Sequence, residues 1–477
     1  MDYRQADLRS YLADVAALDK IDSVSKQVSL DTEIPALCSA ARRPLLFNNI
    51  DGYPGWRLVD ALLTNRTHQA IALNSKPDRV MQDYAACLLK GPGETVQIAT
   101  GPVKETLWLG KDADLTRLPA PTPSEGIEVP HLNLKPSDFH IPTISGAIII
   151  TKERGANIHN CSYSMVQVAG PQRGQCYLLS SHTWRNIESY QAHNEPIPMA
   201  MVIGCHPAYE LAAVYTGPHP GFSELHMAAT LLGEPVPLVN CETIDMQVPA
   251  YAEIVIEGYL DPNPGPYIHT SAHTDTHSPI IGEEIFFDVT AISMRKDPIY
   301  RHIQPTRFTD HHGICEFYIA PLLYNMLRSK GINVHDVAVP MHSAINCAAI
   351  QMTANCREEV RDALLTALSM PFLPRMAIAV DQDVNIQDAN ELIYALSIRA
   401  DPAKDLIVLE DMRSFDLEPL GKMITGLEKT KLRSGSRWGI DATKPPLNKP
   451  EQRIQFERLR ARGEGKISLK DFVDPSH

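Results

Sequence analysis

The chain has 477 residues, a formal net charge of −13 and 44% apolar residues. A single hydrophobic core stops growing at about 250 to 300 residues, so this length predicts two or three domains, and the apolar content is ample to build them. The negative charge and the lack of long Lys/Arg clusters argue against binding to nucleic acid, which needs a concentrated basic surface.

The cysteines and the apolar runs indicate the compartment. The nine cysteines form no CxxC pair and are odd in number, which argues against a disulfide framework and against a structural zinc site. No stretch reaches the roughly 18 to 20 consecutive apolar residues that a membrane helix needs, and the first residues lack the pattern of a signal peptide. We therefore expect a cytoplasmic protein that does not bind a membrane.

The first part of the chain predicts an amphipathic helix and then short strands. Prolines crowd residues 118–142, so this stretch predicts an extended crossing between domains rather than a regular element. The helix is indicated by the helical spacing of Leu8, Tyr11, Leu12, Val15 and Leu18, and the strands by the apolar segments 45–47 and 95–99.

The rest of the chain predicts a strand-rich centre followed by a unit of alternating helices and strands. Four apolar runs between residues 146 and 300 have the length of buried strands. Beyond them, helical and strand-like patterns alternate, as is typical of an α/β unit. The strand runs are 147–150, 199–203, 253–256 and 286–292, and the later elements are helices at 314–329, 360–368 and 390–398 and strands at 376–380 and 406–409.

Several sequence blocks occur in an order that resembles a known family. They are residues 157–168, 180–184, 221–224, 248–258, 295–300 and 435–444. With the N-terminal helix they cover nearly the whole chain, which resembles the UbiD family of decarboxylases that depend on prenylated FMN. The resemblance implies a mixed α/β (α+β) fold, with an N-terminal α/β region (1–120), a split-β-barrel flavin-binding domain (121–307), a linker helix (308–330), a C-terminal α/β oligomerisation domain (331–448) and a C-terminal helix or tail (449–477).

The resemblance also implies a metal site. In the family an Asn, a His and a Glu, in that order, hold a divalent metal against the cofactor phosphate. The corresponding residues here are Asn157, His182 and Glu224, with Asn160 as the alternative asparagine. A hard divalent ion that bridges a phosphate favours such oxygen ligands beside one imidazole. The further cofactor-binding residues that the resemblance implies are Asn160, Ser164, Met165, Thr216, Gly217 and Arg375.

The chain departs from the family pattern at the acid and base. The family has an Arg shortly after the metal-binding Asn, where Tyr163 or Ser164 stands here. It also has two glutamates in a downstream loop, where this chain has Pro-Gly-Pro-Tyr-Ile-His at 264–269. The usual carboxylates and guanidinium are therefore absent from these positions.

Histidines are the predicted replacement for these groups. The carbon that loses CO2 must be protonated, and His titrates close to neutral pH, so we predict that His269, or with less support His273, transfers the proton. His312 is a third catalytic candidate, because relatives place residues over the substrate at 310–312. His269, His273 and His277 are also spaced by four and could bind zinc on a helix, although the flanking Pro and Gly residues favour a loop.

Each other candidate also has a structural interpretation. Taken alone, these residue types are common in hydrogen-bonded polar layers, at helix starts and on surfaces. The structural alternatives are a strand histidine for His182, a first-turn residue after the N-cap Ser223 for Glu224, a solvated strand end for Arg375 and a polar surface turn for 310–312.

The function that we predict is non-oxidative, reversible decarboxylation of an aromatic, heteroaromatic or α,β-unsaturated carboxylic acid, with an aromatic acyl-CoA among the possibilities. As the resemblance implies, the cofactors are prenylated FMN, a divalent metal such as Mn²⁺, and K⁺. The implied partners are a flavin prenyltransferase that supplies the cofactor and further copies of the chain, as a homodimer or homohexamer joined through a C-terminal helix at 451–462. The alternatives are a flavin-binding carrier or assembly subunit without turnover and a metallohydrolase built on the histidine cluster.

Overall fold

The structure is a computed structural model. It describes the chain except residues 1–5, 127, 129, 131–132, 179, 216–221, 272–277, 307, 372–373, 415–419, 424–432, 460, 464–465, 469–471 and 473–477, and except the side chains of 266–271, 278–284 and 423.

The described helices and strands follow in three groups. The first group is α1 (Leu8–Leu18), β1 (Asp22–Val24), α2 (Glu33–Ala40), β2 (Leu45–Phe47), β3 (Arg57–Asp60), α3 (Arg66–Ala72), α4 (Val80–Cys87), β4 (Thr95–Gln97) and β5 (Thr106–Leu109). The second is β6 (Thr143–Ile144), β7 (Ala147–Lys152), β8 (His159–Tyr163), β9 (Met165–Gly170), β10 (Arg173–Tyr177), α5 (Ser181–Gln191), β11 (Ile197–Ile203), α6 (Pro207–Ala212), α7 (Glu224–Leu232), β12 (Val236–Asn240), β13 (Gln247–Pro249), β14 (Ile254–Leu260), β15 (Gly265–Ser271), β16 (Ser278–Met294) and β17 (Ile299–Arg301). The third is α8 (Asp310–Ser329), β18 (Val334–Ala338), β19 (Cys347–Met352), α9 (Arg357–Leu368), β20 (Met376–Val380), α10 (Ala389–Arg399), α11 (Pro402–Asp405), β21 (Leu406–Ser414), β22 (Lys422–Met423), β23 (Arg433–Asp441) and α12 (Pro450–Arg453).

The predicted N-terminal helix is confirmed as α1. Asp7 caps it, because its side chain accepts a hydrogen bond from the Ser10 N–H at 2.7 Å while the Ser10 hydroxyl is in turn bound by the Asp7 backbone N–H. The apolar positions are buried apart from Leu18, which is 72% exposed because the helix ends there.

A ten-stranded sheet that curls into a half-barrel forms the centre of the described fold. Its strand order is β6-β9-β10-β16-β14-β11-β7-β8, with β5 and β15 attached to β16. In β7, Ile148 and Ile150 pack into one hydrophobic core, and Ile149 packs into a second core on the opposite face. A strand that is covered on both faces reads as a continuous apolar run, which is why the runs in β7, β11, β14 and β16 were recognisable as strands.

Smaller sheets connect the centre to the rest of the chain. The strand β17, which ends the central region, pairs in parallel with β3 and so completes the N-terminal sheet β1-β2-β3-β17. The predicted strand at 95–99 is present as the shorter β4, in the sheet β13-β12-β4. The described part of the proline-rich stretch contains no α-helix or strand before β6, as predicted, although residues 136–139 form a 3-10 turn.

The helix α8 leads into a C-terminal α/β unit with the sheet β18-β19-β20-β23-β21. It begins at Asp310, four residues before the predicted start, with Thr309 as the N-cap residue. The predicted elements in the C-terminal unit are confirmed as α9, β20, α10 and β21. Among the described helices, α8 included, none is both long and apolar enough to span a membrane.

The prediction of a continuous helix at 451–462 is wrong. The α-helical part is α12 alone, followed by a 3-10 turn over Ile454–Phe456. The segment instead follows the surface of its own domain, because Arg453 pairs with Asp381 and Arg458 pairs with Glu391 at 2.7 Å.

Candidate active site

The strand β8 packs against the first turns of α5 and α7 and so joins the predicted metal-binding segments. The Asn160 amide in β8 donates to the Thr183 hydroxyl at 3.1 Å, and Ser162 shares a hydrogen bond with the same hydroxyl at 2.9 Å. Thr183 directly follows His182, which is exposed on the first turn of α5. The interpretation of His182 as a strand residue is therefore wrong, since α5 begins at Ser181.

Glu224 lies on the other side of β8. Its carboxylate accepts a hydrogen bond from the Cys161 N–H at 2.6 Å, and the residue is only 6% exposed. Ser223 caps α7, as the structural interpretation predicted, so Glu224 occupies the first helical turn. The helix start and a ligand role are compatible, because the first turn directs the carboxylate towards β8.

The electrostatics of Glu224 fit a bound cation. Burial raises the pKa of its carboxyl group to about 7, although the hydrogen bond from the Cys161 N–H lowers it. No basic side chain in the described part of the chain stabilises its charge. A buried carboxylate normally pairs with a positive charge or coordinates a metal, so Glu224 is a candidate ligand for a hard divalent ion.

The two candidate asparagines differ in placement. Asn157 is exposed in the loop that precedes β8, whereas Asn160 lies within the strand and contacts α5. Of the two, Asn160 is thus the asparagine that hydrogen-bonds to α5, next to His182. Within the described residues, no group of three His, Cys, Asp or Glu side chains is arranged to hold a metal by itself.

The predicted cofactor contacts are spread over several elements. Ser164 is buried between β8 and β9, where its hydroxyl donates to the Tyr177 carbonyl, and Met165 begins β9. Arg375 lies before β20 in the C-terminal unit, and its guanidinium donates to the Ser436 carbonyl at 3.4 Å. Thr216 and Gly217 lie outside the described residues.

The predicted catalytic histidines lie in two regions. His269 lies in the strand β15, opposite Ile280 of β16, and not in the helix or loop that were considered from the sequence. Its side chain is outside the described part of the structure. His273 and His277 are outside the described residues. His312 lies in α8 and is 2% exposed, so the interpretation of 310–312 as a surface turn is wrong.

A buried ionic cluster near β8 was not predicted from the sequence. It comprises Asp60, Glu210, Arg301 and Asp310, which are each 0 to 2% exposed, and is called the Arg301 cluster below. The guanidinium donates to both carboxylate oxygens of Glu210, at 2.8 and 2.9 Å, and to Asp310 at 2.6 Å. Its Nη1 lies 3.7 Å from Asp60. The only available sequence signal was that Arg301 and Glu210 are isolated charges within apolar segments.

Close backbone packing supports the Arg301 cluster. The N–H groups of Leu62 and Leu63 donate to the Asp310 carboxylate at 2.6 and 2.5 Å. Gly313 lets α8 approach this turn, because a Cβ at that position would collide with the Leu63 carbonyl. Ala61, with a φ of +61°, adopts the left-handed conformation that L-residues rarely take. The chain is thus held in a costly conformation in order to place these carboxylates.

The Arg301 cluster reaches β8 through Tyr163, one of the two residues predicted to stand at the position of the family Arg. The Tyr163 hydroxyl faces Glu210, and burial, followed by the Glu210 charge, raises its pKa well above the usual range. The contact does not have ordinary hydrogen-bond geometry, and the hydroxyl has no other partner among the described residues. A small cavity lined by Cys161, Tyr209 and Glu224 separates this side of β8 from α6 and α7.

Comparison with known families accounts for this architecture. The sequence matches three consecutive domains described as 3-octaprenyl-4-hydroxybenzoate carboxy-lyase: the N-terminal domain over residues 12–88, the Rift-related domain over 94–308 and the C-terminal domain over 312–442. The chain belongs to the UbiD family. The fold predicted from the resemblance and the assignment as a carboxy-lyase are confirmed.

Solved UbiD structures match the chain over almost its full length. The UbiD-class enzyme HmfF from Pelotomaculum thermopropionicum, in complex with FMN, is 28% identical, covers 98% of this chain and 100% of its own, and has a TM-score of 0.86. An evolved dimeric form of HmfF in complex with prFMN has a TM-score of 0.84 at 28% identity, with the same coverage of both chains. The apo 3,4-dihydroxybenzoic acid decarboxylase AroY from Klebsiella pneumoniae, 20% identical with a TM-score of 0.81 over 98% of this chain and 99% of its own, shows the same fold.

Proposed function

We propose that this UbiD protein is a non-oxidative, reversible decarboxylase of an aromatic, heteroaromatic or α,β-unsaturated carboxylic acid that uses prenylated FMN. The single observation that supports the proposal is that β8 hydrogen-bonds to both elements that carry the other candidate ligands: the Asn160 amide donates to Thr183, next to His182, and the Cys161 N–H donates to the buried carboxylate of Glu224. The complexes of HmfF with FMN and prFMN support the cofactor.

In this proposal the chain's own side chains bind the cofactor phosphate through a metal. Asn160, His182 and Glu224 hold a divalent ion such as Mn²⁺, with K⁺ as a further cation, so that an acidic protein accommodates a phosphate without many basic residues. The chemistry that prenylated FMN supplies when bound is an electron sink for the bond that breaks as CO2 leaves. The protein orients the carboxylic acid, excludes water and delivers one proton.

The remaining cofactor contacts are part of the same proposal. Ser164 and Met165 lie at the junction of β8 and β9, a short distance along the chain from Asn160. Thr216 and Gly217 precede α7, which carries Glu224. Arg375 would have to approach from the C-terminal unit, which predicts that the phosphate lies between the two regions.

We further propose that the protein forms a homodimer or homohexamer and receives its cofactor from a flavin prenyltransferase. The C-terminal unit exposes apolar side chains on two of its elements: Ile393 and Ile398 of α10 are 61% and 56% exposed, and Val408 of β21 is 54% exposed. Exposed apolar groups of this kind are typical of subunit contacts. Light scattering of the purified protein would measure the assembly.

The metal site is tested by Glu224→Gln, compared with Glu188→Gln on the exposed side of α5. Added Mn²⁺ should stabilise the wild type and Glu188→Gln against thermal unfolding, by about 2.7 kcal/mol at a metal concentration one hundredfold above Kd. Glu224→Gln should lose most of this stabilisation, because the amide carries no negative charge. Equal stabilisation of all three proteins would exclude Glu224 as a ligand.

The reaction is tested after co-expression with a flavin prenyltransferase. The mass of the molecule released on denaturation should be that of prenylated FMN. CO2 release is then measured with benzoate, 3,4-dihydroxybenzoate, 2-furoate and cinnamate. Flavin binding without turnover of any acid would instead favour the carrier function, and a colourless, zinc-containing protein would favour the metallohydrolase.

A further inference from the structure

A cavity of about 420 Å³ lies between α1, α3, α6 and α7. It is lined by the second half of α1, the end of α3 with the turn that follows, the residue before α6 and the end of α7. Leu18, at the end of α1, lines the cavity and is 72% exposed, so the cavity opens to solvent there. Volumes of about 300 to 1,000 Å³ are typical of sites for small organic molecules.

Aliphatic side chains form much of the cavity wall. They are Ile71 and Leu73 at the end of α3, and Leu231 and Leu232 at the end of α7. A wall of this kind favours an aliphatic group of a ligand over water, because apolar surface is removed from solvent when the group binds.

His206 supplies a hydrogen-bond donor at this wall. Its Nδ1 accepts from the Ala208 N–H at 3.1 Å, and burial lowers its pKa to about 4, so the ring is neutral at pH 7 and has its proton on Nε2. The residue is 7% exposed, and Tyr11 packs edge-on against the ring at a centroid distance of 5.6 Å. Within the described residues, Nε2 has no hydrogen-bond acceptor, so it is available to a ligand in the cavity that His206 lines.

The electrostatics of the cavity favour a cation. Asp14 lines it and is partly exposed, and its charge raises the pKa of His206 against the larger effect of burial, which indicates that the two side chains are close. The helix α7 ends at the cavity, and the C-terminal end of a helix has a partial negative charge. No Lys or Arg is found among the described residues that line the cavity.

The cavity and the candidate metal site lie at opposite ends of α7. Glu224 is in the first turn of this helix and Leu231 is in its last turn. At about 1.5 Å of rise per residue, they are about 10 Å apart along the helix axis. A ligand in the cavity therefore does not compete with an ion bound at Glu224.

We propose that this cavity is a binding site for a small aliphatic amino alcohol. The ammonium group pairs with Asp14, the hydroxyl oxygen accepts from His206 Nε2–H, and the aliphatic chain packs against Leu231 and Leu232. Because Asp14 and His206 are close, the ammonium and hydroxyl groups belong on neighbouring carbons. An α-amino acid is a poor ligand, because its carboxylate would lie near the Asp14 charge. The site is independent of the proposed decarboxylation.

The ligand chemistry is tested by titration calorimetry of the full chain with leucinol and three matched compounds. Leucinol should bind with a dissociation constant of about 1 mM, which is reasonable for so small a ligand. Isohexanol lacks only the ammonium group and should bind about tenfold more weakly or worse, because a hydrogen bond to a charged group is lost. Isoamylamine lacks the hydroxymethyl group and should bind about threefold more weakly, because a neutral hydrogen bond is lost. Leucine, with a carboxylate in place of the hydroxymethyl group, should not bind.

The two polar side chains are tested separately. Asp14→Asn should weaken leucinol binding about tenfold and leave isohexanol binding unchanged. Asp78→Asn is the matched control, because Asp78 is exposed in the turn before α4 and is not among the residues that line the cavity. His206→Asn keeps a residue that caps helices well but lacks Nε2–H. It should bind leucinol no better than isoamylamine, while its affinity for isoamylamine stays that of the wild type.

The outcomes decide the proposal. It is overturned if leucinol does not bind, if isohexanol binds as tightly as leucinol, or if Asp14→Asn binds leucinol as tightly as the wild type does. If His206→Asn does not fold, the ligand series on the wild type and Asp14→Asn still decides it. The stabilisation of the protein by Mn²⁺ should be unchanged in saturating leucinol, and its loss would show that leucinol binds at the metal site instead. Failure of leucinol binding would leave the proposed decarboxylation intact.

Discussion

Two guanidinium groups pair with carboxylates of α8 and differ in burial and in how their charge is balanced. Arg301 faces three carboxylates and is fully buried. Arg66 of α3 faces two, Glu316 at 3.2 Å and Asp336, and its side chain remains 12% exposed. Arg66 with Glu316 and Asp336 is called the Arg66 cluster below. Both clusters join α8 to other elements, so they differ in burial and charge balance and not in location.

Neutral donors stabilise carboxylates in both clusters, as backbone N–H groups do for Asp310 and Asp60. Glu316 also accepts from the Gln387 amide at 3.0 Å, and Asp336 accepts from the Gln82 amide at 3.3 Å. Each carboxylate of the Arg66 cluster thus has an amide donor in addition to its ion pair, which is the arrangement that makes a partly buried ion pair tolerable. We infer that the Arg66 cluster is a structural clamp between α3, α8 and β18, whereas the Arg301 cluster places three carboxyl groups around one fully buried guanidinium.

The largest expected effect comes from removing each guanidinium. Arg301→Met should cost about 3 to 5 kcal/mol of unfolding free energy at pH 8, because it leaves buried carboxylates without a cation. Arg66→Met should cost less, about 1 to 3 kcal/mol, because water and amide donors compensate. Urea denaturation of both variants measures the difference.

The cost of Arg301→Met should also shrink at pH 5, where the carboxyl groups are more readily protonated. If the variant does not accumulate in folded form, Arg301→Lys keeps the charge and allows the same comparison. Equal costs for the Arg301 and Arg66 variants, with no dependence on pH, would remove the distinction between the clusters.

A smaller effect on stability should distinguish Asp60 of the Arg301 cluster from Asp336 of the Arg66 cluster. Asp60 has a raised folded pKa, caused first by burial and then by Asp310, so its contribution to stability is present at low pH and lost as pH rises through that pKa. Asp60→Asn should therefore gain stability relative to the wild type as pH increases. Burial raises the pKa of Asp336 as well, so Asp336→Asn should shift with pH in the same direction, but it should lose stability overall because Asp336 binds Arg66 directly. Thermal unfolding between pH 5 and 8 would test this, and an equal loss of stability in both variants would contradict it.

The smallest effect is expected at the surface of the C-terminal unit. Arg458 pairs with Glu391 at 2.7 Å, and the two side chains are 23% and 30% exposed. Partly exposed ion pairs contribute little, so Arg458→Gln should cost about 0.5 kcal/mol, and added salt should reduce this cost further. A loss comparable to that of Arg66→Met would show that the tail segment contributes much more to folding than its exposure indicates.

Local sequence patterns were sufficient to predict most helices and the central strands. The apolar spacing in α1 and the continuous runs in β7 and β11 report burial directly, because side chains repeat with the period of the backbone. Boundaries were less predictable: α8 starts at Asp310, where the carboxylate is bound by the distant Leu62 and Leu63 N–H groups. The segment 451–462 does not form the expected continuous helix. Its Arg453 and Arg458 instead form ion pairs with Asp381 and Glu391, which are distant along the chain.

By itself, the sequence determined the family, the order of the elements and the segments that could bind a metal, since these depend on residue type and spacing along the chain. Only the tertiary structure decided that Asn160 rather than Asn157 meets α5, and that Asp60, Glu210 and Asp310 surround one guanidinium. The physical reason is that a single charge in an apolar segment looks the same in sequence whether it is solvated or buried. Its effect on proton binding depends on partners that folding brings from four separate elements.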